Sequence, residues 1–163
     1  MKLFVDTANV KEIETLATLG ILDGVTTNPS LLAKESGDYR QILKQMCQIV
    51  QGPVSAEVVA TDAEGMLREG RDLAAIDEHI VIKVPFTRDG VRACKTLASE
   101  GQRVNVTLIF SAAQAWLAAK VGAAYVSPFV GRLDDIGTTG MNLIREIVEI
   151  FDNAEFSTEV LVA

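Results

Sequence analysis

Residues 80–85 read IVIKVP, and the fold turns on how Lys83 is placed within them. Four large aliphatics, Ile80, Val81, Ile82 and Val84, mark a short strand covered on both faces, and Pro85 closes the run. A lysine there must leave its charge in water, shed it, or use it. Runs of the same kind recur on either side: LFVD (3–6), GVTTN (24–28), VSAEVV (54–59), VNVTLIF (104–110), YVSPFV (125–130) and TEVLVA (158–163). Their starts lie 21 to 33 residues apart, and the segments between them carry helix signals. Asn9 precedes VKEIETLATLG, which Gly20 ends; Thr61-Asp62-Ala63-Glu64 resembles a capping box; Ser111 precedes AAQAWLAAKVG. Strands alternating with helices predict right-handed βαβ units and a mostly parallel sheet. Trp116 and the Leu/Ile stripes of the helices are expected to face the core.

Seven such units suit either an open doubly wound sheet or most of a (β/α)8 barrel, and the strand ends separate the two. No GxGxxG or GxxxxGKS loop follows any strand, which counts against a nucleotide-binding open sheet. Nearly every strand instead carries one polar residue at or near its end: Asp6, Thr26 and Asn28, Glu57, Lys83, Asn105 and Thr107, and Ser127. A barrel gathers its site this way, because the C-terminal ends of its strands surround one mouth. The expected fold is therefore α/β, in the TIM (β/α)8 barrel family, with about seven βα strands in one domain over residues 1–163.

Composition narrows the partners. The 163 residues are 48% apolar with a net charge of −7, which fits a globular domain with ample core. No apolar run is long enough for a membrane span, and MKLFVDTANV lacks a signal peptide's basic region and apolar core, so a cytoplasmic protein is expected. No basic cluster suggests a nucleic-acid footprint. Cys47 and Cys94 stand apart, without CxxC or histidine company, and read as buried, inert thiols. His79, the single histidine, precedes the strand on its N-terminal side, where a surface or packing role suffices.

The polar residues have local readings as well as chemical ones. Asp6 suits an N-cap, and Thr26, Thr27 and Asn28 before Pro29 suit a turn. Glu57 and Lys83 interrupt apolar strands, where an unpartnered charge costs several kcal/mol, so a buried ion pair is one reading. The other uses the burial. Desolvation disfavours a lysine's charged form, and the neutral amine is a nucleophile that forms a Schiff base with a carbonyl substrate. Such chemistry needs proton transfer, for which Asp6 and Glu57 are suited. Asn28, Asn105, Thr107 and Ser127 offer hydrogen bonds to a polyhydroxylated substrate, and Arg132 a bidentate clamp for phosphate.

Taken in order, VDTAN, GVTTNPSLL, VSAEV, VIKVP, NVTLIFSAAQA and YVSPFVGRLDD resemble the small transaldolases of the class I aldolase superfamily, relatives of the fructose-6-phosphate aldolases. The resemblance runs the length of the chain. It implies a (β/α)8 barrel with Lys83 as the Schiff-base lysine and Asp6 handling the proton on the substrate's C4 hydroxyl. Glu57 and Thr107 would hold a water for the imine steps. Asn28, Asn105 and Ser127 would bind the dihydroxyacetone hydroxyls, Arg132 the phosphate, and Thr26 would line the pocket. No metal or organic cofactor is implied. The implied reaction transfers a dihydroxyacetone unit from fructose 6-phosphate or sedoheptulose 7-phosphate to an aldose phosphate, as in the pentose phosphate pathway.

Fructose-6-phosphate aldolases resemble one another in carrying Gln on strand 3 and Tyr in the strand 6 motif. This chain has Glu57 and Phe129 there, which points to transaldolase over that sister activity. Family members continue past TEVLVA into a serine and arginine motif, an eighth strand and C-terminal helices. A chain lacking the last βα unit and tail helices is expected, with an inactive fragment as the rival reading. The homo-oligomer implied by the resemblance, a decamer or pentamer, depends on those helices.

Overall fold

The computed structural model describes residues 1–163. In chain order the elements are β1 (Phe4–Asp6), α1 (Val10–Ala17), β2 (Gly24–Thr26), α2 (Pro29–Leu32), α3 (Tyr39–Val50), β3 (Val54–Glu57), α4 (Ala63–Ala74), β4 (Ile80–Pro85), α5 (Arg88–Ser99), β5 (Val104–Ile109), α6 (Ala112–Lys120), β6 (Tyr125–Pro128), α7 (Val130–Asp135), α8 (Gly140–Asn153) and β7 (Glu159–Val160). The strands follow one another in chain order, β1 through β7. Seven strands alternating with helices in this order give the architecture of the (β/α)8 barrel family, as the polar residues at the strand ends predict. No helix is long and apolar enough to cross a membrane.

By contact density the chain forms two compact units, Met1–Val59 with Arg68–Ile82, and Ala60–Leu67 with Lys83–Ala163. In the first, β1 pairs with β2 and β2 with β3, all parallel, with Asp6 opposite Thr26 and Thr26 opposite Ser55. The backbone N–H of Val54 donates to His79 O at 2.9 Å, at the start of β4. Ile13, Leu43 and Met46 on the helices and Val25, Val54, Val81 and Ile82 on the strands form its fully buried core. Asn9 caps α1 as predicted, accepting from the Glu12 N–H at 3.0 Å.

In the second unit β5 pairs with β6 and β6 with β7, again parallel, and Phe86 N–H donates to Thr107 O at 2.8 Å beyond β4. Its core is Val84, Leu97, Val104, Val106, Ile109, Val126 and Ile147, with small Ala93, Ala115 and Ala118 where helices meet strands. Ser111 caps α6 through the Gln114 N–H, as its sequence suggests. Cys47 and Cys94 are buried and form no disulfide, and burial pushes the Cys94 thiol up to about 12.

Several local expectations are corrected. Helix α4 begins one residue later than a Thr61 capping box requires; Asp62 takes the cap, accepting from Gly65 N–H at 2.9 Å. Trp116 does not face the core. It lies on the outer side of α6, 37% exposed, with Lys120 Nζ 5.2 Å from its ring centre, a cation–π contact. The strands are also shorter than their apolar runs: β2 stops at Thr26, because Asn28 must turn to cap α2, and β6 stops at Pro128, because Phe129 already precedes α7. In β5 the run VNVTLIF is not one regular strand; its register shifts between Thr107 and Ile109.

Candidate active site

In the first unit the parallel register sets Asp6 beside Thr26, and Thr26 Oγ1 donates to Asp6 Oδ1 at 2.7 Å. Asp6 is exposed and caps no helix, so the N-cap reading gives way to this strand-end contact. Asn28 does serve as a cap, its Oδ1 accepting from Leu31 N–H at 2.9 Å; the amide N–H2 donors lie outside that bond. Thr27 faces the other way, fully buried, its hydroxyl donating to Ser55 O at 2.8 Å. Glu57, half-buried at the end of β3, borders a cleft of about 560 Å³ lined also by Pro29, Leu32, Tyr39, Val59 and Leu73.

His79 sits at the opposite end of β4. Its ring Nδ1 lies 2.8 Å from Asp77 Oδ1, which also accepts its backbone N–H. That backbone bond is the main reason the Asp77 carboxyl titrates below its ordinary value. A local packing role, as anticipated, accounts for this histidine.

In the second unit Lys83 follows Ile82 in β4 and is 8% exposed, a buried lysine among fully buried aliphatics. Asn105, Thr107 and Ser127 are buried on β5 and β6, with Thr107 directly opposite Ser127. Ser127 Oγ donates to Asn105 Oδ1 at 2.9 Å, so two of the anticipated residues form one hydrogen-bonded pair. Thr107 Oγ1 is buried and has no hydrogen-bond partner. Buried hydroxyls are nearly always bonded, which sets Thr107 apart from its polar neighbours. Phe129 is half-buried, its N–H donating to Ile109 O at 3.1 Å and its ring meeting Phe110 edge-on at 5.7 Å. Arg132, on α7, projects into water with its side chain 74% exposed, 3.7 Å from Asp135.

Each unit thus brings together part of the anticipated set: Asp6 with Thr26 in one, Asn105 with Ser127 and Thr107 in the other. Two features escaped the sequence reading. Leu108 has φ +62°, and Phe110 backs Phe129. A left-handed turn is normally announced by Gly or Asn, and a leucine inside an aliphatic run carries no such signal.

A chain-ordered (β/α) architecture with polar side chains at its strand ends is that of the barrel enzymes. Comparison with known proteins defines the family within that class. The Transaldolase/Fructose-6-phosphate aldolase family matches residues 3–163. A "Probable transaldolase" of Rhodospirillum centenum is 63% identical over 164 residues, covering 100% of this chain and 71% of that protein. Proteins of the same description from Desulforapulum autotrophicum and Methanococcus maripaludis are 57% and 58% identical over 163 residues, covering all of this chain and 76% of each of them. The chain belongs to the transaldolase/fructose-6-phosphate aldolase family.

Proposed function

We propose that this protein is a transaldolase that moves a dihydroxyacetone unit from fructose 6-phosphate or sedoheptulose 7-phosphate to an aldose phosphate through a Schiff base on Lys83. The observation that carries the reading is Lys83 itself, buried at 8% exposure in an otherwise aliphatic strand of a transaldolase-family chain. The Lys83 amine adds to the C2 carbonyl, water leaves, and the imine becomes the electron sink. Asp6 takes the proton from the C4 hydroxyl as the C3–C4 bond breaks and the first aldose phosphate departs. The enamine left on Lys83 then attacks the carbonyl of the acceptor aldehyde, and water returns to free the ketose and the amine.

Glu57 and Thr107 hold the water of the imine steps in this reading, and the unpartnered Thr107 hydroxyl supports it. Asn28, Asn105 and Ser127 bind the dihydroxyacetone hydroxyls; Thr26 lines the pocket; Arg132 meets the phosphate. Phe129 distinguishes transfer from simple cleavage. A phenol there would position water to protonate and release the enamine, whereas phenyl leaves it waiting for an acceptor. The relatives described as probable transaldolases support the same choice.

The test is reductive trapping. Incubation with fructose 6-phosphate and borohydride should leave a dihydroxyacetone adduct on Lys83, located by peptide mass spectrometry, and none on Lys83→Ala. An adduct at another lysine, or none on the folded protein, would reject the assignment. Phe129→Tyr should raise release of free dihydroxyacetone in the absence of acceptor; unchanged partitioning would remove Phe129 as the discriminating residue.

A further inference from the structure

We infer that Leu108 is a positioning residue, whose left-handed backbone turns Phe110 onto the face of the reacting sugar. The inference rests on the transaldolase reading above. Thr107 pairs with Ser127 and Ile109 with Pro128, so Leu108 is an extra residue with no partner in the neighbouring strand. Its φ of +62° is one that a leucine adopts under strain, where glycine would be at ease. The residue is 40% exposed, so burial does not account for the conformation.

The extra residue reverses the strand's parity. Before it, Asn105 and Thr107 share one face and Val104 and Val106 the other. After it, Ile109 joins the Val104 and Val106 side and is buried like them, while Phe110 joins the Asn105 and Thr107 side and meets the Phe129 ring. A regular strand would put Ile109 on the site face and swing Phe110 away from Phe129. Bonds hold the chain on both sides of the bulge: Phe86 N–H to Thr107 O at 2.8 Å, Phe129 N–H to Ile109 O at 3.1 Å, and Phe110 N–H to Gln114 Oε1 at 2.7 Å. Between these anchors Thr107 Oγ1 is left buried and open. The backbone at residue 108 therefore decides which of Ile109 and Phe110 faces the site, and Leu108 acts through Phe110.

Substitutions should rank by tolerance of positive φ. Leu108→Val, branched at Cβ, should lower kcat about tenfold or more with little change in KM. Leu108→Gly and Leu108→Asn should restore it, and melting temperatures should rank Gly and Asn above Ala, and Ala above Val. Should the valine variant not fold, Leu108→Ala takes its place in the kinetics. Phe110→Ala combined with Leu108→Val should be no slower than Phe110→Ala alone. Wild-type kcat in the folded valine variant, equal losses in Gly and Val, a multiplied loss in the double variant, or a reversed thermal ranking would each overturn the role. Borohydride trapping on the wild type runs alongside. A missing Lys83 adduct would reject the transaldolase reading, while the thermal ranking still judges the bulge by itself.

Discussion

A side chain's worth in this protein depends on whether its polar atoms are matched. Ser127 and Asn105 are both buried, and their 2.9 Å bond is made where water cannot replace it. Ser127→Ala should cost about 1–3 kcal/mol in a denaturant titration, because it strips Asn105 Oδ1 of the serine's hydrogen bond. Cys94 illustrates burial without a partner. Its thiol is pushed from 9.0 up to about 12 by desolvation, so the unfolded chain loses that proton at lower pH than the folded one. Its contribution to stability is whole below pH 9.0 and falls as pH rises from there toward about 12. Cys94→Ala should flatten that alkaline decline, measured by urea titration at several pH values. Cys94 should also resist iodoacetamide until the chain is unfolded, since the thiolate is the reacting form.

Several helices start at a short polar cap, and the tightest junction is the one that follows β4. Thr87 caps α5 by accepting from Gly90 N–H at 2.9 Å, and a Cβ on Gly90 would lie 1.9 Å from the carbonyl oxygen of Pro85. A backbone atom cannot yield as a flexible side chain can. Gly90→Ala should therefore lower the denaturation midpoint more than Thr87→Ala, which forfeits about 1 kcal/mol of capping. Thr87→Ser should keep that stability, because its hydroxyl can accept the same bond. Cap residues such as Asn9 and Ser111 were legible in the sequence because their chemistry is local. The bulge at Leu108 was not, since its stabilising bonds come from Phe86, Phe129 and Gln114 on other elements.

Across the whole molecule the net charge is −7, which sets a repulsive field for a phosphorylated sugar. Arg132, in water on α7, is the group proposed to offset it. Arg132→Ala should raise KM for fructose 6-phosphate and leave KM for unphosphorylated dihydroxyacetone as donor unchanged, in a transfer assay with a fixed acceptor. In that variant added salt should lower KM again, because screening weakens the remaining repulsion. An equal rise for both donors would place Arg132 outside phosphate recognition.

The sequence by itself determined the alternation of strands and helices, the strand order, and the lysine among aliphatics. Periodicity, caps and an out-of-place charge are carried by neighbouring residues. It also marked Asn105, Thr107 and Ser127, because a polar residue within an apolar run stands out. Only the tertiary structure decided which of them pair, that Asn28 spends its carbonyl on a helix cap, that Trp116 lies outside, and that Leu108 turns left-handed. Those outcomes depend on partners far away along the chain. A hydroxyl or a backbone angle is settled by what the fold brings beside it, and local composition does not encode that.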